Sequence, residues 1–149
     1  MHRRQSVPCQ WLIVNDQPDR ELWEALRWLK RGSGVLVLID LGTADRRRLM
    51  LIARRRQLTI AQDGQADRVH DLNELTRAML RRSPLILLSP LYPTRSHPDW
   101  RPLPRMRAAT LARLGRRKLV ALGGMDGRRY ARVRTLGFQG WAGISAFRT

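Results

Sequence analysis

Four side chains able to hold or polarise an anion stand together in the stretch Leu91–Pro98. Thr94 and Ser96 offer hydroxyls, Arg95 a guanidinium and His97 an imidazole. Proline locks the backbone around it, so Pro90, Pro93 and Pro98 stiffen the segment that presents them. Further along, Gly123 and Gly124 follow the apolar run Leu119–Leu122. Without side chains, their backbone N–H groups can approach an anion closely. Ile144 and Ser145 close a third apolar run that begins at Gly140. Two hydroxyls, bare amides and a helix start beyond the glycines form a donor set suited to a phosphate monoester. Each piece alone has an ordinary explanation: glycine pairs commonly make turns, and a single histidine is more often a surface residue than a ligand. The reading rests on three such sequences, in order, behind three successive apolar runs.

Those runs belong to a wider alternation. Trp11–Asn15, Val35–Ile39, Leu58–Gln62, Leu85–Ser89, Leu119–Leu122 and Gly140–Ser145 read as strands, the apolar ones continuous enough to be buried on both faces. Between them lie helical patterns. Leu22, Leu26 and Leu29 repeat at helical spacing before Gly32; Thr43 can cap a helix running to Arg56, with Leu49, Ile52 and Ala53 inward. Asp71 with Glu74 makes a capping-box pattern opening a helix to about Arg82. A helix over Arg105–Leu114 ends at Gly115, and another follows the Gly-Gly-Met-Asp-Gly turn and ends near Gly137. Strand-helix alternation of this kind means a parallel sheet with helices outside and right-handed crossovers. In such folds ligands gather at the carboxyl ends of strands, where the three candidate segments stand.

Composition narrows the field. The 149 residues suffice for one domain, 1–149, with a single core. Cys9 is the only cysteine, which excludes an intrachain disulfide and a four-thiolate metal site. No apolar stretch reaches the ~20 residues of a membrane span. Met1–Ser6 is basic but is followed by no signal-type apolar region, so a cytoplasmic protein without membrane association is expected. The formal charge is +17, and all but two of the 29 basic residues are arginine. These arginines come in short clusters within or at the ends of predicted helices, where solvated faces belong. With few aromatic residues for base stacking, solvated faces are the preferred reading over a nucleic-acid footprint.

The segments "LSPLYPTRSHP", "LVALGGM" and "WAGISAF" resemble the carboxyl-terminal half of the thiamine phosphate synthase and thiazole tautomerase (TenI-like) family, most specifically from Pro84 to Phe147. "WLIVND" resembles the family's opening strand more weakly. The resemblance implies that Thr94, Ser96, Gly123, Gly124, Ile144 and Ser145 hold the phosphate of a phosphorylated thiazole. It implies a transferase reaction in which that thiazole is joined to hydroxymethylpyrimidine diphosphate, diphosphate leaving from a site supported by Mg²⁺. By the same resemblance Asp63, after Gln62, is the retained magnesium ligand, Arg95 or His97 neutralises the leaving diphosphate, and His70 is the general base if the reaction is a tautomerisation.

The chain departs from the family where the diphosphate would bind. "VLVLIDL" lacks the family's Gln-x-Arg-x-Lys pattern, and "ADRVHDLNEL" stands where two strand–helix units are usual. The expected architecture is therefore an incomplete TIM-barrel-like (β/α) fold with about six parallel strands instead of eight, compressed between about 63 and 85. Its two open edges would be masked by a short strand near Arg68–His70, by a loop or by a homodimer. Three readings remain open on the sequence: the synthase, a metal-free tautomerase, and a protein without catalysis, either a phosphate-ligand-binding remnant or a basic nucleic-acid binder.

Overall fold

The computed structural model describes residues 7–148; the basic flank Met1–Ser6 lies outside them. Seven strands, all parallel, form one sheet: β1 (Gln10–Val14), β2 (Gly34–Val37), β3 (Thr59–Gln62), β4 (Ala66–Val69), β5 (Leu85–Leu88), β6 (Leu119–Ala121) and β7 (Gly140–Gly143). Their order is β3-β2-β1-β7-β6-β5-β4. Five helices accompany them: α1 (Arg20–Trp28), α2 (Thr43–Arg56), α3 (Leu72–Leu80), α4 (Arg105–Leu114) and α5 (Gly127–Val133). Every pair of consecutive strands is joined through a helix except β3 and β4, which are linked by the 3-10 turn Asp63–Gln65. The fold is thus an incomplete α/β barrel, with one strand more than the six expected. The added strand, β4, lies close to the Arg68–His70 segment expected to mask an edge, but His70 falls just beyond its end.

The short link reveals how far the sheet curls. Strands β3 and β4 are its two edges and do not pair with each other. The step from Gln62 to Ala66 nevertheless can span only about 14 Å of extended chain. Following partners across the sheet, Val69 is level with Leu88, Ala121, Trp141 and Gln10. That is one residue below the level of Gly34 and Thr59, where β2 and β3 begin. The ladder therefore slips by about a strand's length across the sheet, the stagger that accompanies barrel curvature. Curl and stagger together bring the start of β4 round to the end of β3, and no crossover helix is needed.

Side-chain alternation divides the core. Trp11 and Ile13, Leu36, Ala61, Leu85 and Leu87, Val120, Leu122 and Ala142 fill the inner face of the curl. Leu12, Val14, Val35 and Val37 face outward under α1 and α2. Val69, Ile86, Leu88, Leu119 and Ala121 face outward under α3, α4 and α5. At the lower end of the curl, Trp11 lies flat over Gly34: a Cβ there would stand 2.1 Å from the indole.

Helix starts follow a common device. Asp19, Asp71 and Asp126 each accept a backbone N–H three residues on, at 2.8 Å, satisfying donors that the first turn leaves free. For α2 the expected cap is displaced: Thr43 is the first helical residue and Gly42 holds the cap position with no side-chain hydrogen bond. Among the described residues no helix is long and apolar enough to cross a membrane.

Candidate functional site

Because all strands are parallel, the segments after β5, β6 and β7 emerge at one end of the sheet. The loop after β5 does not swing free. The Leu91 and Tyr92 N–H groups donate to the Leu122 and Gly123 carbonyls at 3.0 and 3.1 Å, so the proline-rich segment is laced onto the end of β6. Gly123 and Gly124 adopt φ of +98° and +58°, conformations that disfavour other residues. A Cβ on Gly123 would come within 2.8 Å of the Pro90 Cα, and one on Gly124 within 2.3 Å of the Pro93 carbonyl oxygen. Both glycines thus permit close packing of the proline loop, in addition to any role toward an anion.

Thr94 follows Pro93 directly and is half-buried; its hydroxyl accepts the Ser96 N–H at 3.2 Å. Gly143, at the end of β7, lies against the Met125 carbonyl, so the segment carrying Ile144 and Ser145 adjoins the turn after the glycine pair. Ile144 packs into the inner core, while Ser145 is exposed and opens a 3-10 turn. Ser96 and Arg95 are exposed. The six residues expected to hold phosphate therefore sit on three adjoining segments. Arg129, from the first turn of α5, joins them: its guanidinium donates to the Gly124 carbonyl and lies 4.9 Å from the centre of the Tyr92 ring. It links the glycine turn to the proline loop. Its place in an arginine cluster, Arg128–Arg129, gave no sign of that in the sequence.

A second group lies one strand away. His70 follows β4, and Ser89, at the root of the proline loop, donates its N–H to the Val69 carbonyl at 3.1 Å. Glu74 does not close the expected capping box onto Asp71. Its carboxylate instead lies 3.0 Å from Nδ1 of His70 and accepts the His70 backbone N–H at 3.2 Å. A carboxylate in this position favours the tautomer with hydrogen on Nδ1, leaving the Nε2 lone pair free. Nε2 is buried and has no hydrogen-bond partner. The indole of Trp100 stands edge-on to His70, with ring centres 5.6 Å apart, and stacks on His97 at 3.9 Å. Trp100 thereby joins His70 and His97, which are distant in sequence. Nothing in its sequence context marks it, since the contact arises only when the loop folds back over β4.

Asp63 stands apart from this arrangement in its chemistry. It is exposed, opens the turn after β3, and is flanked by Gln62 and Gln65, which hydrogen-bond reciprocally to each other across that turn. Magnesium at a protein site takes oxygen ligands in near-octahedral geometry, usually from one or two carboxylates with phosphates and water. Among the described residues no three His, Cys, Asp or Glu side chains come together as a metal site. A lone exposed carboxylate does not fit a resident magnesium centre.

The comparisons with known proteins agree with the fold. Among solved structures, the chain is similar to thiamine phosphate pyrophosphorylase from Pyrococcus furiosus, with a TM-score of 0.71 over 96% of this chain and 88% of that one. The sequence identity is 14%, so this likeness speaks for the fold. No curated protein is significantly similar. The family described as thiamine monophosphate synthase matches residues 64–147, which include β4 to β7 and all three loops. With more than half of its length so matched, the chain belongs to the thiamine monophosphate synthase family.

Proposed function

We propose that this protein binds the phosphate ester of a thiazole-type heterocycle across the loops after β5, β6 and β7, and that His70 moves a proton on the bound ring. The observation that carries the reading is the His70–Glu74 pair beside the proline loop, with Nε2 left without a partner. In this reading Thr94, Ser96 and the amides of Gly123, Gly124, Ile144 and Ser145 hold the phosphate. Glu74 orients the imidazole and stabilises it once protonated. Nε2 takes the proton from one ring position and returns it to another, as general base and then general acid. Trp100 must move aside for the ring to reach Nε2, and its neighbour His97 travels with it. Atoms balance without metal or co-substrate, since the product is an isomer of the substrate.

The family also suggests the coupling of thiazole phosphate to hydroxymethylpyrimidine diphosphate. Departure of diphosphate calls for concentrated positive charge; here Arg95 and His97 of the proline loop are both exposed, and the Arg129 guanidinium is engaged with the Gly124 carbonyl. Asp63 alone offers little to Mg²⁺. The isomerisation is therefore the better-supported reaction of the two.

Calorimetry with thiazole phosphate tests the binding claim. Wild type is expected to bind, Ser96→Ala to bind several-fold more weakly, and Gly124→Val to lose binding, because the added side chain meets the Pro93 carbonyl. Equal affinity in all three would exclude these loops. Mixing both synthase substrates with Mg²⁺ tests the reaction class: formation of thiamine phosphate above background would replace the isomerase reading with the synthase.

A further inference from the structure

Among the described residues two polar side chains are fully buried, Ser33 and Ser89, each 3% exposed. Their hydroxyls are treated differently. Ser33 Oγ accepts a hydrogen bond from the Gln10 side chain at 3.0 Å. Ser89 Oγ has no partner. Burial of this kind takes a hydroxyl out of water and gives it no bond in return, so Ser89 calls for a reason beyond packing.

Its position supplies one. Ser89 is the first residue past β5, and His70 the first past β4. Val69 and Leu88 are partners in the ladder, and the Ser89 N–H donates to the Val69 carbonyl, which sets Ser89 opposite His70. Leu85 and Leu87 belong to the inner core and Leu88 to the outer one, so alternation turns the Ser89 side chain inward. Four buried side-chain atoms lack a partner among the described residues, and two of them, Ser89 Oγ and His70 Nε2, thus stand on facing positions of one strand pair. The loop that leaves at Ser89 also returns there. The Leu103 N–H donates to the Pro90 carbonyl at 2.9 Å, and Trp100, carried between, stands edge-on to His70. A flat aromatic side chain therefore lies against His70 where, in the proposed reaction, the flat ligand ring must lie.

The two atoms are chemically complementary. With its hydrogen on Nδ1, held by Glu74, the imidazole can only accept at Nε2. A serine hydroxyl can donate. We infer that the Ser89 hydroxyl donates to the ring nitrogen of the bound heterocycle while Nε2 faces the ring carbon whose proton it takes. The inference rests on the proposed isomerisation and adds to it a second group that touches the ring. When Nε2 removes the proton, the electron pair of the broken C–H bond enters the ring and places negative charge on the conjugated nitrogen. The Ser89 O–H stabilises that charge and keeps its own proton. The imidazolium then returns its proton to the second ring position, and the electron pair forms the new C–H bond. A donor aimed at charge that grows during the reaction acts more on rate than on affinity.

The probes are thiazole phosphate and the phosphate ester of the matching thiophene, in which C–H replaces the ring nitrogen. Calorimetry with the full chain compares their affinities. Wild type is expected to bind the thiazole several-fold more tightly, and Ser89→Ala to bind the two equally. Ser33→Ala, at the other buried serine, should keep the preference. In the isomerisation, Ser89→Ala should lower kcat by about a hundredfold, the scale for removing one such donor, with a smaller change in KM. Thermal unfolding separates this from a structural role. Ser89→Ala should be at least as stable as wild type, because a methyl replaces an unpaired hydroxyl, whereas Ser33→Ala should be less stable, because Gln10 loses its acceptor. Ser89→Cys, similar in size and a weaker donor, should fall between Ser and Ala in preference and in rate, and it decides the matter if the alanine variant does not fold. A thiazole preference that persists in Ser89→Ala, or is missing from wild type, would overturn the inference and leave the loops and His70 in their proposed roles. So would an undiminished kcat in Ser89→Ala. A wild type that shows the preference but no isomerisation would keep the Ser89 contact and overturn the reaction. Failure of wild type to bind either phosphate ester would overturn the proposed function, and the inference with it.

Discussion

The loops after β1, β2 and β3 leave the same end of the sheet as those after β5, β6 and β7, but their polar groups are used differently. After β1, Asp19 caps α1 and pairs with Arg148. After β2, Asp40 pairs with Arg46 at 3.5 Å. After β3, Gln62 and Gln65 close their own turn. These side chains secure local elements. After β5 to β7, by contrast, hydroxyls and glycine amides gather on adjoining segments, with a glutamate-held histidine beside them. In the proposed reading one half of the sheet serves as a support and the other carries the ligand. The β2 region, where the family's diphosphate-gripping pattern would stand, falls in the supporting half.

That contrast is most exposed to failure at His70. Replacing it by Ala should lower the isomerisation rate by roughly a hundredfold or more, the usual scale for removing a general base, while thermal stability changes little. Glu74→Gln should cost less, about tenfold, because the imidazole loses the carboxylate that orients it. Steady-state rates would check both. An undiminished rate in His70→Ala would return the histidine to a structural role.

The opposite signature is expected in the supporting half. Gly34→Ala places a methyl 2.1 Å from the Trp11 ring, and overpacking of this severity costs about 3 kcal/mol. Urea denaturation should show the destabilisation, whereas the remaining folded protein should keep its affinity for thiazole phosphate. If the affinity falls with the stability, the two halves are not separable. Trp100→Ala sharpens the comparison from the other side. It removes the indole stacked on His97, so it should cost about 1 kcal/mol. It should also open His70 to the histidine reagent diethyl pyrocarbonate, and a comparison of modification rates would report this.

How much of this could be read from the residues follows the same division. Continuous apolar runs such as Val35–Val37 and Leu85–Leu88 are buried on both faces, so the sequence located their strands to within a residue or two. β4 was hard to find because only four residues, Ala-Asp-Arg-Val, form it at an edge, where one side has no partner and Asp67 and Arg68 are tolerated. The glycine pair and the hydroxyl loop were legible because their chemistry is local. The His70–Trp100–His97 stack and the Arg129 link were not, since each depends on where a loop lands rather than on spacing. Glu74 was visible, but as a cap for Asp71; the fold turns it one residue back, onto His70.

The smallest effect concerns how the edge strand is secured. Asp67 of β4 accepts hydrogen bonds from the Ser83 hydroxyl and, at 3.0 Å, from Arg81. The Ser83 hydrogen bond first, then Arg81, holds its carboxyl below the ordinary carboxylate range despite partial desolvation. A carboxylate whose pKa is lower in the folded chain binds fewer protons there than in the unfolded chain. Its contribution is therefore complete above the unfolded value of about 3.9 and is lost as the pH falls through the folded one. Asp67→Asn should lower stability modestly at neutral pH, since the pair is partly exposed and solvent screens it. The two proteins should then converge on acidification below about pH 4, as the wild-type carboxyl takes up its proton. Urea midpoints measured between neutral and acid pH would show this. A gap that stays constant across that range would mean that Asp67 secures β4 through shape alone, and that its charge is incidental.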